Sequence, residues 1–337
     1  MTEIKKGIFT IILILAPFII IFFSLLLGRY PLAPATVFAV IVNQLGLANL
    51  EVPETAATIV WDIRLPRALL GALVGASLAV SGAAFQGVFR NPLVSSSILG
   101  VSPGAGFGAA LAILLFGKGM MIYVSAFGFG ILAVVFSYFI GRKYNTTTTV
   151  MLVLGGTIVS SVFSALTSLI KYMADPYDQL PQIVFWLMGS LASASYKDIA
   201  IAGTPMLIGI VGLLFIRWRI NILSMGEKEA KALGVNVRLL QGILVFCATL
   251  ATAGAVCVSG VIGWVGLVIP HISRMLVGTD NRLLIPTSVS IGACYLVFVD
   301  NLSRSLTGSE IPLGILTAII GAPFFVYLLK RKVGGWS

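Results

Sequence analysis

Residues 64–90 read RLPRALLGALVGASLAVSGAAFQGVFR. No charged side chain lies between Arg67 and Arg90. The run therefore exceeds the roughly 20 apolar residues that an α-helix needs to cross the hydrocarbon core of a bilayer. Arg64 and Arg67 stand at its start, and a polar break from Gln86 to Leu93 follows its end. Runs of this kind recur along almost the whole chain. Of 337 residues, 58% are apolar and only 10% are Asp, Glu, Lys or Arg. Soluble domains carry about 25% charged residues, and so few charges cannot cover a water-facing surface of this size. The expected fold is an all-α integral membrane protein.

Ten candidate spans are expected: Ile8–Gly28, Asp62–Ala84, Leu93–Leu115, Gly119–Gly141, Thr149–Ile170, Asp198–Ile216, Leu239–Val258, Val261–Val277, Leu284–Ser303 and Ile311–Lys330. An even count puts both termini on one side. With the N-terminus inside, the inner segments hold about twice as many Lys and Arg as the outer ones, as the positive-inside rule requires. Most acids fall outside. The net charge of +10 thus reads as membrane orientation rather than nucleic-acid binding. Lys5 and Lys6 before Ile8–Leu27 have the outline of a signal peptide, but no small-x-small cleavage site follows, so the segment is read as the first span. The chain reads as one membrane domain, residues 1–337. Outer connections are expected near 29–61 and 171–197, and a polar inner segment at 217–238. The semi-apolar stretch Ile183–Leu191 is too short to span and is expected on the surface. No Gly-rich phosphate loop followed by Lys-Ser or Lys-Thr occurs, so this chain is not expected to hydrolyse ATP. Cys247, Cys257 and Cys294 read as small core residues, and a lone His271 excludes a multi-histidine metal site.

Five segments carry chemistry. Arg64 and Arg67 either snorkel to headgroups or hold acids of an external partner through their planar forks. Around Asn91-Pro92-Leu93, proline breaks the helix, and Ser95 to Gly106 continue as a small-residue segment that packs closely or lines a cavity. Thr146 to Thr149 cap a helix or line a polar constriction. Glu227 to Gly234 form a short helix outside the bilayer, with Glu227 and Lys231 at i,i+4 and Gly234 as its stop. This is a solvated linker or a helix that enters a groove on a soluble partner. Gly263 to Arg274 is Gly-rich and Pro-interrupted, and its His271 reads as structural. Val80-Ser81-Gly82 and Val258-Ser259-Gly260 form a faint internal echo.

These motifs together resemble the permease subunit of the iron-siderophore and vitamin B12 ABC importers. The resemblance rests on Arg64-Leu65-Pro66-Arg67, Ser81-Gly82 with Phe85-Gln86, Asn91-Pro92-Leu93, Leu99 to Gly106, Glu229-Ala230 with Leu233-Gly234-Val235, Gly263 to Arg274, Pro312-Leu313-Gly314 and Gly321-Ala322-Pro323. It covers nearly the whole chain. It implies a multi-pass protein of the bacterial cytoplasmic membrane, without cofactor or enzymatic activity of its own. It implies a second permease subunit, identical or related, with the pathway between the two. It implies a cytoplasmic ATP-binding subunit that receives Glu227, Glu229, Ala230, Leu233 and Gly234 as a coupling helix. It also implies an extracytoplasmic binding protein that meets Arg64, Arg67 and Arg304. Asn91, Leu93, Thr147 and Thr148 fall where the family has its cytoplasmic gates, and the fifth span lines the pathway. A ferric siderophore is the expected cargo, with cobalamin and haem as alternatives. An ion-gradient carrier would want ionisable groups deep in the spans, and Asp300 is the nearest such residue.

Overall fold

The computed structural model describes residues 3–117, 119–143, 146–147 and 149–330. The chain is helical nearly throughout, as a bilayer demands, because a helix satisfies its own backbone donors and acceptors. Its elements are α1 (Glu3–Leu26), α2 (Pro34–Gln44), α3 (Glu54–Ala57), a π-helical turn (Thr58–Arg64) that runs on into α4 (Leu65–Phe89), α5 (Val101–Phe116) and α6 (Met120–Gly141). A two-residue hairpin follows, β1 (Arg142–Lys143) antiparallel to β2 (Thr146–Thr147), with Arg142 opposite Thr147. Then come α7 (Thr149–Met173), α8 (Gln179–Met188), α9 (Tyr196–Met225), α10 (Glu227–Ala232), α11 (Val237–Ser259), α12 (Val265–Val277), α13 (Asn281–Ser305) and α14 (Leu313–Lys330).

Each expected span contains a helix. Among the described residues, seven helices are long and apolar enough to cross a membrane, by length and composition. The exceptions are α5, α12 and α14. Two of these are shortened for a visible reason. Arg90 takes a left-handed conformation (φ 48°) ahead of Asn91-Pro92, and the chain runs as turns to Gly100 before α5 begins. After Ser259 the backbone is again non-helical, and α12 starts only at Val265. Val94, Ser96, Leu99 and Gly100 are buried in protein, which is the condition for broken backbone at membrane depth.

The expected outer connections hold helices of their own, α2 and α8. The stretch from Ile183 lies in and just after a short helix with one face inward: Ile183 is fully buried and α8 packs against α5, while Val184 and Phe185 stay exposed. Of the threonine run, Thr146 and Thr147 belong to the hairpin, Thr149 opens α7, and Thr148, the position that would cap it, lies outside the described residues. The Val-Ser-Gly echo falls at unlike places, inside α4 and across the end of α11.

α4 is the axis, packed against α1, α9, α11, α12 and α13. Its glycines let other backbones come close. A Cβ at Gly75 would stand 2.2 Å from the Gly292 carbonyl oxygen of α13, and one at Gly82 would stand 1.8 Å from that of Gly266 in α12. Small residues are the standard means of helix association in lipid, where no hydrophobic drive brings helices together. Gly82→Ala should lower the thermal midpoint of the detergent-purified protein, overpacking being worth about 1–3 kcal/mol. Gly128→Ala, with no atom within 4 Å of its Cβ position, should leave the midpoint unchanged or raise it.

Candidate functional site

Two ends of the bundle carry the polar chemistry. At the first, Arg67 enters from α4 and its guanidinium holds two carboxylates at once. Nε and Nη2 donate to Asp300 of α13 at 2.8–3.0 Å, and Nη1 and Nη2 donate to Glu310 at 2.8 and 2.9 Å. Arg304, one turn beyond Asp300, lies 3.7 Å from the same carboxylate and donates to Ser24 and Asn301. Arg64 donates to the carbonyls of Leu25 and Tyr30 at 2.7 and 2.6 Å. The three arginines expected to face a partner are thus brought together, but all are buried, at 4–7% exposure. They clamp the end of α1 and the loop after α13 onto α4. Breaking one side of a buried pair of this kind costs about 3–5 kcal/mol, because the other charge is left in low dielectric. Glu310, outside the helices, is the exposed member. Its hydrogen bonds from Arg67 hold its carboxyl below the usual value of 4.5.

At the other end, α10 protrudes between α9 and α11. Ala230 is fully buried in the chain's own core, so it anchors the helix and does not face outward as expected. Leu233 and Met225 are exposed, as are Glu229 and Gly234, while Glu227 is half-buried. Gly234 has φ 74° and ends the turn, with its N–H on the Lys231 carbonyl and that of Val235 on Ala230. The end of α4 meets this region through Arg90, which donates to the Met225 carbonyl at 3.4 Å.

The broken segment lies beside it. Asn91 accepts from the Leu93 N–H at 2.9 Å, fixing a tight turn that leaves both side chains exposed. Gln86, fully buried, donates to the Val94 carbonyl at 2.9 Å and to that of Gly266 at 3.3 Å, and accepts from Arg274. It thereby ties α4, the turns after it and α12 into one unit. A cavity of about 820 Å³ opens nearby, lined by Arg90, Asn221, Ser224, Thr279 and Asp280. Thr147 lies in β2, and Thr148 lies outside the described residues. Among the described residues, no cluster of His, Cys, Asp and Glu could hold a metal.

The fifth expected span, α7, has an exposed face of Leu154, Ile158, Val162 and Leu166. Its hydroxyls are turned back on the helix: Thr157, Ser161 and Ser168 donate to carbonyls one turn earlier at 3.0–3.1 Å. Such a wall mixes apolar side chains with hydroxyls whose protons are already bonded within the helix.

Sequence reasoning missed Glu310 as a partner of Arg67 and saw Asp300 only as a deep acid. The i,i+4 spacing of Asp300 and Arg304 was the available signal. It also missed Trp264, whose φ of 70° seats its ring against Gly321 and Phe325.

Comparison with known proteins gives a consistent result. The model of the FecCD transport family matches residues 13–331. The chain is 45% identical over 318 residues to a molybdate import system permease protein of Haemophilus influenzae, covering 93% of each. It is 41% identical to a probable iron chelatin transport system permease protein of Helicobacter pylori, covering 83% of this chain and 85% of that one. A solved structure described as an inward-facing conformation of a metal-chelate type ABC transporter superposes with TM-score 0.85 at 40% identity, over 97% of this chain and 99% of the other.

The Glu310 contact gives a pH signature. A carboxyl held below its ordinary value contributes stability above that value and loses it as pH falls through the lowered one. Thermal midpoints from neutral pH downward should therefore fall more steeply below pH 4.5 for the parent than for Glu310→Gln, which starts lower and stays flatter.

Proposed function

The chain belongs to the FecCD transport family and is a permease of an ABC importer, and from that premise we propose that it carries an iron chelate, a ferric siderophore first, across the bacterial cytoplasmic membrane. The observation that carries the coupling part of this reading is α10. A short helix stands outside the long ones, anchored by Ala230 and showing Leu233 to its surroundings. An unpaired apolar side chain flanked by Glu229 and Lys231 suits a groove on a soluble subunit. That subunit is the ATP-binding partner, and the α10 end is the cytoplasmic one.

The chain's own connections then give the mechanism. A push on Leu233 moves Ala230 against α9 and α11. Through Met225 it reaches Arg90 and the Asn91–Gly100 turns, where Asn91 and Leu93 gate the passage together with Thr147 and Thr148. A second permease copy, identical or related, faces the exposed side of α7. The self-bonded hydroxyls of that helix favour passage over retention, since a site that binds too well stalls release. The opposite end, with Arg64, Arg67 and Arg304, receives an extracytoplasmic binding protein. Glu310 occupies the outward half of the Arg67 fork, and an acid of the docked partner would take its place there. Asp300 is already held by Arg67, so it offers no free carboxylate to a coupling ion, which weighs against a gradient-driven carrier.

A relative from Haemophilus influenzae is named for molybdate import, which adds an oxyanion to the cargo readings beside the iron chelate, cobalamin and haem.

The test is co-purification of this chain with its ATP-binding subunit, followed by ATP hydrolysis in lipid. Leu233→Asp should weaken the assembly by about tenfold or more, since burying a charge in an apolar groove costs at least ~1.4 kcal/mol. Leu47→Asp, an exposed site after α2 in the outer connection, should not. Equal retention of the ATP-binding subunit by both variants would remove α10 as the coupling helix.

A further inference from the structure

At the end remote from α10, α6 and α9 both pack on α11 but barely touch each other. A groove of about 460 Å³ remains between them, floored by α11. Its walls are apolar: Val124 and Phe127 from α6, Ile201, Pro205 and Ile208 from α9, and Leu250 from α11. Met120 and Tyr123 form its mouth and are shared with a second cavity of about 650 Å³ whose lining is mixed, Trp186 and Phe185 beside polar groups. That cavity presents Gln182, Ser190, Ser193 and Lys197.

The charges at the mouth are unequal in their availability. Asp198 is buried, accepts the N–H and hydroxyl of Ser195 at 2.9 and 2.6 Å, and faces the Tyr123 hydroxyl. Its charge is used within the fold. Lys197 is exposed and forms no ion pair among the described residues. The accessible charge at the mouth is therefore positive, set among serine hydroxyls, above an apolar slot. The slot's depth also decides something. From Ile201 to Ile208, α9 rises about 10 Å, and Lys197 of the adjoining cavity stands about one turn further out, so slot and mouth together run about 16 Å, close to half of the ~30 Å hydrocarbon core.

We propose that this composite groove is a phospholipid site, with one acyl chain lying between α6 and α9 and the phosphate on Lys197 and the neighbouring serines. Polar and apolar parts follow in the order of a lipid of one leaflet. An aromatic hydroxyl stands at the junction, the usual place for tyrosine at a membrane interface. A bound chain would fill the space that separates α6 from α9 and support both against α11. The site is independent of the coupling helix and of the clamp at Arg67.

Native mass spectrometry of the detergent-purified chain, titrated with dioleoyl phosphatidylglycerol, tests this without any partner subunit. The parent should retain one lipid in preference to further ones. Thr204→Trp, from an exposed position that fills the slot, and Lys197→Glu, at the mouth, should each reduce that first binding about tenfold, the effect of ~1.4 kcal/mol. Val135→Trp, exposed on α6 outside the groove, should bind as the parent does. Unchanged retention in both groove variants, or an equal loss in Val135→Trp, would overturn the proposal. Loss in Thr204→Trp with none in Lys197→Glu would also overturn it, by assigning the slot to an uncharged apolar molecule. Thermal midpoints of each variant separate loss of the site from loss of the fold. Because no ATP-binding subunit is present, failure here leaves the importer reading untouched.

Discussion

Close approach of backbones along α4 is the constraint on which the other contacts depend. In lipid there is little to gain from moving an apolar surface from one apolar medium to another, so helices associate where their shapes allow dense packing. Gly82 admits α12, and Gly75 with Gly292 admits α13. Only because α12 lies so near can Gln86 reach the Gly266 carbonyl while also holding Val94. Only because α13 lies so near can Arg67 reach Asp300 from the neighbouring helix. A side chain at either crossing would separate the donors from their acceptors, and those donors and acceptors have no water to turn to.

The same axis joins two ends that are held in different ways. At one, buried arginines and acids neutralise each other and fix the end of α1 and the loop after α13. This is a stiff arrangement, expensive to break on one side alone. At the other, Gln86 still ties α4 to the turns after it and to α12, but beyond it the contacts are more exposed: Arg90 meets a single carbonyl, Asn91 makes a local turn, and α10 rests on Ala230. A stiff end suits a surface that receives a preformed partner. A looser end suits the one that must move when a subunit below it changes shape. α4, running from Arg67 to Arg90, is the common member of both.

Much of this was legible in the chain itself. Low charge and long apolar runs required a bilayer, and the asymmetry of Lys and Arg suggested an orientation. The short helix near Glu227–Gly234 followed from its composition and stop signal. What escaped was three-dimensional in origin. Proline after Asn91 marked a break, but not that the turns would last to Gly100 and leave α5 short. Hydropathy described Ile183–Leu191 as semi-apolar and could not say that Ile183 turns inward onto α5 while Val184 and Phe185 stay exposed. The arginines were identified, but their partners lie more than two hundred residues away, in Asp300 and Glu310. Ala230 was counted among outward contacts because a helix of six residues has too few positions to reveal which face is turned inward.

The account stands most directly on transport itself. Proteoliposomes would hold this chain with its ATP-binding subunit and its binding protein, and would be supplied with a radiolabelled ferric siderophore or with molybdate. The account predicts uptake of one of these that requires both ATP and the binding protein and that persists when ion gradients are collapsed. Uptake that ignores ATP and disappears with the gradients would contradict it.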